Sequence, residues 1–177
     1  MGFKKILVAI DRSPQAPVVF EQALELAQND ESRLKVLYCL SLDTEAKSAP
    51  AIGTLADVDL YGTFHRVQRE RLHLEIEKAK SWLEFYCQQA TLRAIPTEYD
   101  CKVGQPNEKI CEVARTWGAD LIVLGRRGYK GISEIVLGSV SNYVLHHASC
   151  SVFVVQGVVE QTVDRPAATT QFNTSES

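Results

Sequence analysis

Lys5-Ile6-Leu7-Val8-Ala9-Ile10-Asp11 sets five consecutive apolar residues between a lysine and an acid, and Asp120-Leu121-Ile122-Val123-Leu124-Gly125 sets four between an acid and a glycine. Strands that face solvent on one side alternate apolar and polar residues. A short unbroken apolar run suits a strand covered on both faces, as in a parallel sheet. Leu34–Leu40, Thr97–Val103 and Ser151–Gln156 read as three further strands, which makes five.

Helical spacing fills the gaps. Ser13-Pro14 has the form of a helix start, with Ser13 as N-cap and Pro14 in the first turn; Val19, Phe20, Ala23, Leu24 and Ala27 follow on one face. From about Arg66, the residues Leu72, Ile76, Ala79, Leu83, Cys87 and Ala90 step by three or four. Pro106 opens a helix whose buried face is Ile110, Val113, Ala114 and Trp117, and Gly118 stops it. A last helix holds Val140, Val144 and Leu145. Strands alternating with helices require an open parallel sheet with helices on both faces, an α/β fold. Its ligand edge is the carboxyl end of the strands. That draws attention to Asp11, Tyr38–Leu40, Gly104-Gln105 and Gly125–Ser141.

The chain has 177 residues, enough for one domain. We expect that domain over 1–157, with 41–64 as a mobile connection and 158–177 as a polar, disordered tail. The net charge of −3 argues against nucleic acid or a membrane surface as a bulk-charge partner. No apolar run reaches the ~20 residues that span a bilayer, and the first residues do not form a signal peptide. Five cysteines, odd in number and without a CxxC pair, point to free thiols in a reducing cytoplasm.

One loop carries the chemistry. Gly125-Arg126-Arg127-Gly128-Tyr129-Lys130-Gly131 leaves a strand, and Gly138-Ser139-Val140-Ser141 enters a helix. Glycines allow close backbone approach, first-turn amides favour an anion, and Arg126, Arg127 and Lys130 add three positive charges. Phosphate fits that combination; glycines serving turns alone and Ser139 serving as a cap is the other reading. Neither GxxxxGK[ST] nor GxGxxG is present.

Gly125-x2-Gly128-x9-Gly138-Ser139 resembles the ATP-binding signature of the universal stress protein family. The opening strand through Asp11, the run Trp117-Gly118-Ala119-Asp120 with its following strand, and Gly138 through Ala148 resemble the same family. The likeness covers about residues 1–156. Two departures are Ser149-Cys150-Ser151-Val152, where the family usually reads Pro-Cys-Pro-Val, and Tyr38-Cys39, where it often reads His-Val. The resemblance implies an adenine-nucleotide alpha-hydrolase-like, Rossmann-like sheet of order 3-2-1-4-5. It also implies a pocket for ATP. Ala9 and Asp11 would lie beneath the nucleoside, Cys39 beside adenine, and Leu124 and Gly125 at the ribose. Arg127, Gly128 and Lys130 would flank the phosphates, with Gly138, Ser139, Val140 and Ser141 holding them. Asp11 suits a magnesium ion or its waters. A homodimer through the last strand is implied too.

Asp11 is the one acidic candidate for chemistry, and nothing clearly supplies a positioned nucleophile. The expectation is therefore a nucleotide-binding regulator of the stress response with slow hydrolysis or none. The rival is a nucleotide-free interaction module of the same fold. A nucleotidyltransferase would need an HxGH-type motif that Asp11-Arg12-Ser13-Pro14 does not provide.

Overall fold

The computed structural model describes residues 2–28, 32–41, 58–126 and 137–156, with the backbone alone for 58–65. Five strands are found: β1 (Lys5–Ala9), β2 (Arg33–Leu40), β3 (Thr97–Val103), β4 (Leu121–Gly125) and β5 (Ser151–Val155). Four helices connect them: α1 (Ala16–Gln28), α2 (Val58–Thr91), α3 (Pro106–Trp117) and α4 (Ser139–His147). The strands form one sheet in the order β3-β2-β1-β4-β5, and every pairing is parallel.

The unbroken apolar runs are explained by the two layers. Ile6, Val8, Leu34, Val36, Leu121 and Val123 face α1 and α2, where they meet Phe20, Leu24, Leu83 and Tyr86. Leu7, Leu37, Ile122 and Leu124 face the other way, toward Ile110, Val113 and Val144 of α3 and α4. Successive side chains of a strand point to opposite faces, so a strand covered on both sides has no polar position to spare.

Local signals end the elements where chemistry requires it. Gly118 takes φ +72°, a left-handed conformation, and its N–H caps Ala114 O at the end of α3. Pro106 begins α3, where a missing N–H costs nothing. The regular part of α1 begins at Ala16 rather than at Pro14: Ser13 to Ala16 first closes a turn, with Ala16 N–H on Ser13 O at 3.1 Å.

One expectation is corrected. Helix α2 begins at Val58, not near Arg66, so 58–64 belong to a helix and not to a mobile connection. The helix is about 51 Å long at 1.5 Å per residue. From Arg66 onward its buried residues are Ala79, Leu83, Tyr86 and Ala90; none between Arg66 and Lys78 is fully buried. The part of α2 that packs into the core is thus its C-terminal half, from Ala79 onward. Residues 42–57 and 157–177 lie outside the described residues.

Candidate functional site

Where β1 and β4 run side by side, the connections leave the sheet on opposite sides: β1 leads to β2, and β4 leads to β5. That is the switch point of an open α/β sheet, and ligands bind beyond the strand ends there. Ala9 sits in register with Leu37 on one side and Leu124 on the other. Ile10 N–H still donates to Leu37 O at 3.0 Å, which carries the sheet one residue further and delivers Asp11 to the crevice.

Asp11 is fixed by its own turn: its Oδ1 accepts the Ser13 N–H at 3.0 Å. A carboxylate oxygen has more than one acceptor direction, so this bond holds the group without exhausting it. Arg12, the next residue, lies against two aromatic rings. Its guanidinium lies 5.8 Å from the Tyr38 ring centre and 5.7 Å from that of Trp82. Nothing local in the sequence announces the two rings.

Gly125 ends β4, paired with Val155. A Cβ built there would lie 2.9 Å from Val19 Cγ2 and 3.5 Å from Gln15 Oε1. The close approach is thus made by α1, not reserved for a ligand alone. It also places the Gln15 amide at the crevice, another residue the sequence did not single out. Arg126 N–H bonds Val155 O at 2.9 Å, which ties down the loop's first residue. Arg127, Gly128 and Lys130 lie outside the described residues.

The chain returns at Gly138, the N-cap of α4, which has no side chain to cap the helix. The N–H groups of Ser139, Val140 and Ser141 occupy the first turn, where the helix offers no acceptor. Ser139 is exposed, while Ser141 is buried. Ser141 Oγ donates to Gly125 O at 3.0 Å, so its proton is committed within the protein and ties the head of α4 to the end of β4.

Cys39, on β2, is half-buried against the α3–α4 layer. Burial, then the charges of Cys101 and Asp100, push its thiol up to about 12, with Lys109 and Lys102 pulling partly back. It is a neutral, weakly polar wall and not a nucleophile. Among the described residues, no cluster of three or more His, Cys, Asp or Glu could hold a metal ion by itself. No helix among them is long and apolar enough to cross a membrane.

An open parallel sheet with its crevice at the β1–β4 switch point defines a Rossmann-like α/β protein. The family model described as the universal stress protein family matches residues 2–156, and the chain belongs to that family. A universal stress protein of Synechocystis sp. is 41% identical over 164 residues, spanning 88% of this chain and 99% of its own. The solved structure of UspA from Lactobacillus plantarum aligns with TM-score 0.67 at 29% identity, covering 88% of this chain and 99% of that one. A universal stress protein from Archaeoglobus fulgidus, solved in complex with dAMP, shares the fold with TM-score 0.56 at 22% identity. It covers 87% of this chain and 98% of that one.

Proposed function

We propose that this chain binds ATP at the β1–β4 switch point and acts as a nucleotide-dependent regulator in the cytoplasm, with slow turnover or none. One observation carries the reading: Asp11, the end of β4 at Gly125 and the first-turn amides of Ser139–Ser141 converge on one edge of the sheet. First-turn amides and the helix dipole stabilise an anion, and Gly138, the N-cap, carries no side chain that would cap them. In this reading Ala9 and Leu124 floor the nucleoside and Cys39 lines the adenine side. Arg127, Gly128 and Lys130 belong to the phosphates. Asp11 suits magnesium through its waters, because a hard carboxylate oxygen beside phosphate matches that ion. The Archaeoglobus relative, solved in complex with dAMP, supports the reading.

Self-association through β5 belongs to the same reading. Among the described residues β5 pairs only with β4, and Phe153 on it is 40% exposed. An apolar edge strand invites a second copy.

Isothermal titration of ATP, with and without magnesium, tests the reading, with AMP as a comparison. Wild type is expected to bind and Gly128→Val to lose the heat signal. No heat in wild type would leave the nucleotide-free interaction module as the function. A steady-state turnover above ~1 s⁻¹ that disappears in Asp11→Ala would overturn the assignment as a binder.

A further inference from the structure

Helix α2 has a second apolar line besides the one it packs on the sheet. Val67, Leu74, Phe85 and Leu92 are 42%, 58%, 54% and 80% exposed. At 100° per residue these four fall within about 20° of one line, roughly 140° around the helix from Ala79, Leu83, Tyr86 and Ala90. Leu92 follows the last helical residue, but its N–H donates to Gln88 O at 3.1 Å, so the spiral continues through it. The line is about 38 Å long. Single exposed apolar residues are ordinary, whereas four in register along the outer face of the longest helix form a seam.

The spacing identifies the occupant. Val67 and Leu92 lie equally far from the midpoint between Ala79 and Lys80, and so do Leu74 and Phe85. A two-fold axis through that midpoint sets Val67 against the partner copy's 92nd position and Leu74 against its 85th, each contact made twice. This is the self-complementarity of an isologous interface. We propose that a second copy of this chain docks antiparallel along the outer face of α2. The exposed surface of the line is on the order of 400 Å² per copy, and the stems of flanking charged side chains extend it toward the ~800 Å² per partner of a standard interface. Charge permits the pairing. Arg71 comes level with Gln88 of the other copy and Lys78 with Ser81. The two copies of Lys78 fall nearest the axis, but each holds its own Glu75 at 2.9 Å. Val67 and Leu74, exposed in the single chain, thereby gain an apolar partner. The inference does not depend on nucleotide binding.

Sedimentation velocity at micromolar concentration tests it, whatever else the β5 edge contributes. Leu74→Glu alone and Phe85→Lys alone are each expected to reduce the assembly mass at least two-fold. The double variant Leu74→Glu/Phe85→Lys is expected to restore it, because the two charges meet only across copies; within one helix they are about 16 Å apart. Val67→Glu/Phe85→Lys, which pairs the wrong levels, is expected to stay dissociated. A mass unchanged by either single substitution overturns the proposal, as does failure of the matched pair to recover. An unchanged mass with faster exchange of amides in 157–177 would assign the face to the chain's own C-terminal segment and overturn it as well.

Discussion

Ser141, in the first turn of α4, donates its hydroxyl proton to the carbonyl oxygen of Gly125, the last residue of β4, across 3.0 Å. Fifteen residues lie between them along the chain, including most of the glycine-bearing loop. The bond therefore joins the two ends of that segment, Gly125 and Ser141, directly. It brings the helix amides to the end of the strand beside Asp11. A bound phosphate competing for the same hydroxyl would have to replace what Gly125 loses.

Ser141→Ala removes a bond inside a site where Ser141 is 2% exposed. The Gly125 carbonyl is then left short of a partner. A loss of about 1–2 kcal/mol is expected. Urea unfolding followed by far-UV circular dichroism reads it as a lower midpoint with an unchanged slope. A midpoint equal to wild type would mean the bond is not formed in solution.

Gly125→Ala asks for room that Val19 occupies, since the new Cβ falls 2.9 Å from Val19 Cγ2. Overpacking of this kind costs about 1–3 kcal/mol. The double variant Gly125→Ala/Val19→Ala is expected to be more stable than the sum of the single losses by at least ~0.5 kcal/mol. Strict additivity would show that α1 yields by moving as a body.

Much of this arrangement is legible in the sequence, for physical reasons that can be named. Ile6–Ile10 and Leu121–Leu124 are apolar throughout because α1 and α2 cover one face and α3 and α4 the other. Gly118 ends a helix because only glycine adopts φ +72° without cost. The start of α2 was not legible. A periodic apolar stripe marks a helix where it meets a core, and no residue from Arg66 to Lys78 is buried. At the site, Asp11 and Gly138–Ser141 announce themselves through strand ends and glycine spacing. The Gln15 amide beside Gly125 and the Arg12 stack on Trp82 do not, since each joins residues about 70 to 110 positions apart.

Arg12 sits over Tyr38 and Trp82, and its charge also helps, after Lys78, to hold the Glu75 carboxyl below the usual range. Arg12→Ala uncovers an indole face. In a Trp117→Phe background, where Trp82 alone emits, the emission maximum is expected to move to longer wavelength, with a stability loss of about 0.5–1 kcal/mol. Arg12→Lys should retain part of the contact. An unmoved spectrum would place the guanidinium in solvent.

Burial, reinforced by Cys101 and Asp100, lifts the Cys39 thiol from 9.0 to about 12, and burial lifts Cys87 to about 11. The unfolded chain loses these protons first as pH rises, so it binds fewer protons than the folded one above pH 9. Stability from both groups is complete below that pH and falls as pH climbs through their folded values. The urea midpoint should therefore decline between about pH 9 and 11. The decline should be shallower in Cys39→Ala/Cys87→Ala than in wild type. Equal slopes would mean that neither thiol stays protonated in the folded protein.

Two turn positions carry opposite expectations for the same exchange of residues. Ala94, between α2 and β3, holds φ +57°, and Gly118, between α3 and β4, holds φ +72°. A Cβ in the left-handed region costs about 1–2 kcal/mol, while glycine costs about 0.5–1 kcal/mol in unfolded-chain entropy. Gly118→Ala takes on the strain and recovers the smaller entropy, so it should lower stability by up to about 1 kcal/mol. Open space around Gly118, whose nearest Cβ neighbour would be Lys5 Nζ at 3.8 Å, means that conformation alone sets this cost. Ala94→Gly sheds the strain and should raise stability by a similar amount, although Ala94 is exposed. Thermal unfolding of both variants under one buffer measures the pair. A loss at both positions would show that Ala94 makes packing contacts worth more than the relief of its backbone.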